Sequence, residues 1–191
     1  MEKYVENALT FDEYYNQVDQ LVKEGKTSGE NQTENLIEFT RVNQKRMKKW
    51  RKIYKTSSDW INAVERLDRK EEWVLLTEAW CGDAAQNISQ INNMVEVSDK
   101  LDLKILYRDE NLELMDQFLT NGGRAIPKLI RLDAETKEII GSWGPRVKTA
   151  QDIVIEGKKN GTNYGEDLHA WYAKNKSKDL ETEFIELIKK D

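Results

Sequence analysis

Apolar positions along the chain change period several times, and each change predicts an element. Thr10 offers a capping hydroxyl ahead of two acidic residues. Tyr14, Tyr15, Val18, Leu21 and Val22 then follow at the spacing of one helical face, which should stop near Gly25. The polar stretch 26–33 reads as a loop. Residues 36–54 continue with Phe39, Val42, Met47, Trp50, Ile53 and Tyr54 at roughly helical spacing, which predicts one long helix. Residues 56–59 supply N-cap choices for a further helix through Trp60, Ile61, Val64 and Leu67.

The pattern then turns to β. Residues 73–76 form a short continuous apolar run, as expected of a strand buried on both faces. Beyond Gly82 the apolar positions move to Ile88, Ile91, Met94 and Val95, one face of a helix. A second strand is predicted over 101–107, and a short helix follows through Leu112, Leu114, Met115, Phe118 and Leu119, ended by Asn121-Gly122-Gly123. Strands over 128–132 and 138–143, joined by a turn at 133–136, make a hairpin. Residues 151–159 and 164–190 are helical, the second stretch as one helix or two. From residue 56 the order is α, β, α, β, α, β, β, α. The expected organisation is a helical N-terminal extension, 1–55, packed on a main domain, 56–191.

Composition narrows the classes. A chain of 191 residues is long enough to bury a full core. It has no apolar run of bilayer length, and its opening lacks the basic start and apolar middle of a secretory signal, so a cytoplasmic protein without a membrane role is expected. One cysteine cannot form an internal disulfide, and with one histidine a protein zinc site would need two carboxylates besides; no metal is expected. The net charge of -5 argues against nucleic acid as a partner. Residues 41–55 nevertheless carry eight Lys and Arg and no acid; interleaved with apolar positions, they read as a helix solvated on its basic side. No oligomeric state is specified.

Candidate chemistry gathers at Cys81, where the first strand hands over to a helix. Unpaired backbone N–H groups and the positive end of the helix dipole lower thiol pKa values at such a junction. Asp83 opposes this. A carboxylate ~6 Å from the sulfur disfavours the thiolate by ~3 kcal/mol at an effective dielectric of 20. The helix terminus favours it by roughly 0.3 to 1 kcal/mol when exposed and ~2 kcal/mol when partly buried. The expected outcome is an accessible, mildly acidified Cys81, unless Arg124 or Lys128 lies close enough to tip the balance. His169, among Leu168, Trp171 and Tyr172, reads as an ordinary packed histidine with no role at Cys81.

Trp80-Cys81-Gly82 resembles the start of the thioredoxin motif Trp-Cys-Gly-Pro-Cys, and Ile126-Pro127 is similar to the Ile-Pro in which that family keeps a cis proline facing the cysteine. The resemblance spans roughly 56–160 and implies an α/β thioredoxin fold, a central mixed sheet flanked by helices, with extra helices at both ends. The helical extension and the phrase Glu-Ala-Trp-Cys-Gly-Asp-Ala also resemble a bacterial branch with a single cysteine. Three positions depart from the family. Ala84 replaces the resolving cysteine, Asp83 replaces the motif proline, and Leu75 stands where the family carries a buried carboxylate, with Glu78 the nearest acid.

The resemblance implies a groove shaped by Trp80, Gly82, Asp83, Arg124, Ile126 and Pro127 that receives a protein disulfide, a peptide or a small thiol. Without a second cysteine, a mixed disulfide on Cys81 must be resolved by an external thiol, a low-molecular-weight thiol as co-substrate or another protein, and no cofactor is expected. Two functions follow: monothiol exchange at Cys81, or a catalytically silent binding module. A peroxiredoxin wants Thr or Ser where Glu78 stands, arsenate-reductase chemistry has only Arg124 near Pro127, and iron–sulfur ligation by one cysteine needs a dimer.

Overall fold

The computed structural model describes residues 1–189. Its helices are α1 (Glu2–Glu6), α2 (Phe11–Glu24), α3 (Glu34–Ile53), α4 (Ser58–Glu65), α5 (Gly82–Val95), α6 (Leu112–Met115), α7 (Lys148–Asn160), α8 (Tyr164–Asn175) and α9 (Lys178–Ile188), and its strands are β1 (Glu71–Thr77), β2 (Leu101–Tyr107), β3 (Lys128–Asp133) and β4 (Ile139–Trp143). The sheet order is β2-β1-β3-β4, with β1 parallel to β2 and antiparallel to β3, and β4 antiparallel to β3. This is the mixed sheet flanked by helices that the resemblance implied.

Side chains of β1 alternate between two buried faces. Trp73 and Leu75 join Leu103, Ile105, Tyr107 and Leu129 in a core with α2, α3, α5 and the C-terminal helices. Val74 and Leu76 join Leu106, Ile130 and Leu132 in a second core closed by α6, and Cys81 and Ala84 belong to it. Burial on both faces accounts for the continuous apolar run in the sequence.

The N-terminal helices build a third layer. α3 lies along α5, where Trp50 Nε1 donates to Gln86 Oε1 at 2.7 Å and Ser89 Oγ donates to the Met47 carbonyl at 3.1 Å. Polar residues on α5 that would otherwise face water, Gln86, Asn87, Ser89 and Gln90 among them, are therefore buried. Ahead of α2, Leu9 makes an antiparallel bridge to Ile105 and covers the outer edge of β2, which would otherwise offer unpaired backbone groups. The short α1 was not foreseen.

The stretch 164–190 is two helices over its described part, broken at Lys176 and Ser177, both left-handed; Lys190 and Asp191 lie outside the described residues. α9 is tied to the sheet by charge. Arg131 of β3 donates from Nε and Nη2 to Glu71 of β1 at 2.9 and 2.6 Å, and from Nη1 to the Leu187 carbonyl at 2.6 Å. Arg131 and Glu71 are both fully buried, and Trp73 Nε1 donates to the same carboxylate. No helix of the described residues is long and apolar enough to cross a membrane.

Candidate functional site

Cys81 is the N-cap of α5, and its sulfur accepts from the Ala84 N–H at 3.5 Å. The thiol donates to the Ile126 carbonyl at 3.4 Å, immediately ahead of Pro127, and the Ile126–Pro127 peptide bond is cis. The helix entrance and the loop ahead of β3 thus face each other across the sulfur.

Cys81 is buried. Cys81 is 6% exposed, against the expectation of an open, mildly acidified thiol. Burial pushes its pKa up to about 12, and the Asp83 carboxylate acts in the same direction; the Ala84 and Asp83 N–H groups and the Arg146 guanidinium oppose them without prevailing. The reason is the core on the α6 side of the sheet. Cys81 packs there with Ala84, Leu114, Met115 and Ile126, and desolvation of a thiolate in that setting outweighs a helix terminus.

Arg124 and Lys128 do not tip the balance. Arg124 is exposed and pairs with Asp116 at 2.7 and 2.8 Å. Lys128 is buried and donates to Thr120 Oγ1 at 2.9 Å and to the Gly144 carbonyl at 3.4 Å, and burial lowers its pKa. The cation at the site is Arg146, on the loop between β4 and α7, with Nη2 2.5 Å from Asp83 Oδ2. Tyr172 of α8 donates to the other Asp83 oxygen at 3.0 Å, and Asn87 Nδ2 lies 3.4 Å from the Tyr172 oxygen. Asp83 is therefore clasped by two distant segments, and the N-cap of α5 is Cys81.

Trp80 is partly exposed, with the Arg108 guanidinium 5.1 Å from its ring centroid. Arg108 also donates to the Arg124 carbonyl at 3.2 Å, so Arg124 reaches the Trp80 side through its backbone. Glu78 is fully buried but turns away from the thiol: Ser28 Oγ and the Asp109 N–H both donate to its carboxylate. Burial raises its pKa, and those two donors oppose the rise. Leu75 is buried in the opposite face of the sheet from Cys81.

His169 differs from the expected packed residue. It is exposed, and its Nε2 lies 3.2 Å from Arg46 Nη2. Burial of the ring and the neighbouring Arg46 charge lower its pKa, against the pull of Asp83. Arg46 in turn donates from Nη1 to Asn43 Oδ1 at 3.0 Å, and Asn43 donates to the Ala79 carbonyl at 3.0 Å. The helix entrance thus has Arg46, Arg146, His169 and Tyr172 around it, none of which the sequence reading assigned there. The Gly144-Pro145 dipeptide ahead of Arg146 was a turn signal; Tyr172 and His169 had no local signal. Among the described residues no group of three or more His, Cys, Asp or Glu side chains is placed to hold a metal ion.

Comparison with known proteins agrees with this geometry. A thioredoxin family model matches residues 29–185, beyond the expected span 56–160 and well into the N-terminal helices. A crystal structure of a protein of unknown function from Pseudomonas aeruginosa is similar, with a TM-score of 0.68 at 15% identity, covering 97% of this chain and 95% of that one. An HIV epitope scaffold is similar over 81% of this chain and 94% of its own, with a TM-score of 0.52 at 18% identity. No curated protein matches the sequence. With the mixed sheet, the cysteine at the α5 entrance and Pro127 opposite it, the family match leads to one conclusion: this chain belongs to the thioredoxin family.

Proposed function

We propose that this protein is a thioredoxin-fold binding module whose single thiol stays neutral near pH 7. One observation carries the reading: the Cys81 sulfur is buried against the Ile126 carbonyl, with the Asp83 carboxylate raising its pKa further. Thiolates, not thiols, exchange with disulfides, and Ala84 leaves no second thiol to release a product. The groove keeps the parts that receive an extended chain. Trp80 stands at one side with Arg108 on its ring, and Ile126 and Pro127 form the opposite side. In this reading Cys81 helps to shape the floor of the groove and caps α5.

Monothiol exchange is the second reading, favoured by the sulfur lying 3.4 Å from the carbonyl ahead of Pro127. In that chemistry the Cys81 thiolate attacks one sulfur of a disulfide, a mixed disulfide forms, the other sulfur leaves as a thiolate, and an external thiol resolves the adduct. Incubation with oxidised glutathione followed by intact-mass measurement separates the two. An unchanged mass after hours at pH 7.4 is expected. An adduct on the wild type that is absent from Cys81→Ser would replace the binding module with the exchange enzyme.

A further inference from the structure

Three basic side chains from three separate segments meet at the first turn of α5: Arg46 from α3, Arg146 from the loop ahead of α7, and His169 from α8. The acid among them is Asp83, already held by Arg146 on one oxygen and Tyr172 on the other. Arg46 makes no ion pair within 4 Å among the described residues; its hydrogen-bond partners are the Asn43 amide oxygen and the His169 ring. Asp83 attracts it only from further away. Arg46 is also half-buried, and burial lowers its pKa. A guanidinium that has lost part of its water and gained no hydrogen-bonded carboxylate is an unfavourable arrangement unless an anion completes it.

Two further features aim this cation at a ligand. Arg46 Nη1 lies 3.4 Å from where a Cβ on Gly82 would stand, which places the guanidinium against the motif turn. There the positive end of the α5 dipole adds to its field. Arg146 Nε is buried without a hydrogen-bond partner. With Asp83 matched to Arg146, the Arg46 guanidinium is the cation left without a carboxylate partner beside Cys81. Lys45, Lys48, Lys49 and Lys52 on the same helix differ: they are exposed and solvated.

We propose that Arg46, flanked by His169 and Arg146, is a carboxylate-binding subsite beside Cys81, fitted to an acidic side chain or a chain-end carboxylate of a peptide in the groove. The inference rests on the binding-module reading and names the chemistry of its ligand. A guanidinium fork suits a carboxylate because two parallel N–H groups meet two oxygens, which a lysine at this position would not offer.

The test uses the full chain, labelled with ¹⁵N, and three probes: acetyl-glutamate amide for the side chain, acetyl-glycyl-glycine for the chain end, and acetyl-glutamine amide as the neutral control. The Gly82 amide and Arg46 Nε–H resonances are followed. Saturable shifts with at least one carboxylate probe and none with the neutral control are expected, and the tighter carboxylate identifies the source. Arg46→Gln should weaken binding about tenfold, the loss of a charge-assisted pair, while Lys49→Gln stays within about twofold. Equal responses to the glutamate and glutamine probes, or binding retained in Arg46→Gln, would overturn the subsite. If Arg46→Gln does not fold, the probe pair on the wild type still decides. The outcome is independent of the glutathione experiment, because no step of it requires a thiolate.

Discussion

Alkylation of Cys81 at pH 7.4 tests the electrostatic account directly. With its pKa pushed up to about 12, roughly 3 in 100,000 molecules carry the thiolate, against about 7% for an unfolded thiol near pKa 8.5. The ratio is about 3,000. A more basic thiolate is the better nucleophile, with a Brønsted coefficient of about 0.4–0.5, which returns a factor of roughly 30 over this difference. The folded protein should therefore react with iodoacetamide at least about a hundredfold more slowly than the same chain in urea, with steric exclusion adding to this. Asp83→Asn isolates the carboxylate. Removing a charge ~6 Å away at an effective dielectric of 20 lowers the thiol pKa by about 1–2 units, and the retained Arg146 acts in the same direction. Alkylation should accelerate about 3- to 10-fold, again net of nucleophilicity. Intact-mass time courses read both rates. A native wild-type rate within tenfold of the unfolded one, or an Asp83→Asn rate unchanged at equal melting temperature, would refute the reasoning.

The remaining predictions concern stability. Because the folded-state pKa of Cys81 lies above the unfolded value, its contribution is complete below about pH 8.5 and fades as pH rises toward the folded pKa. Between pH 8 and 10.5 the wild type should lose about 2–3 kcal/mol relative to Cys81→Ala in urea titrations, and a constant difference would refute the buried thiol. Glu71→Ala removes the carboxylate that accepts from Nε and Nη2 of the buried Arg131 and should cost about 3–5 kcal/mol in the same assay, a loss under 1 kcal/mol counting against the pair. Gly144 has φ +120, and a Cβ there would stand 2.2 Å from the Pro127 carbonyl oxygen. Gly144→Ala should therefore cost about 3 kcal/mol or more, and near-native thermal stability would mean the two loops do not touch.

Much of the fold could be read from residue spacing because each long element keeps one period. The run 73–76 and the 88-91-94-95 stripe locate β1 and α5, and with them the position of Cys81. What spacing misses are elements with no buried stripe or no breaking residue. None of the α1 residues is buried, and the α8–α9 break is made by Lys176 and Ser177, two left-handed residues that are not glycine. The same limit decided the site. The opposition between Asp83 and the helix terminus was visible in the sequence because both lie within three residues of Cys81. The desolvation that decides the thiol pKa is a sum over residues far apart in the chain, Leu114 and Met115 of α6 and Ile126 ahead of β3 among them.

That sum also changes what the missing family residues mean. A dithiol enzyme needs its first sulfur at the surface and a second one to finish the reaction, and here burial and Ala84 remove both conditions together. Asp83 takes the position of the motif proline, and through Arg146 and Tyr172 it anchors the loop ahead of α7 and helix α8 over the helix entrance. The carboxylate that disfavours a thiolate is thus the one that holds the covering segments in place. Neutralising it should both loosen the cover and acidify the thiol, so if exchange chemistry is recovered by a single substitution in this chain, position 83 is where it should appear.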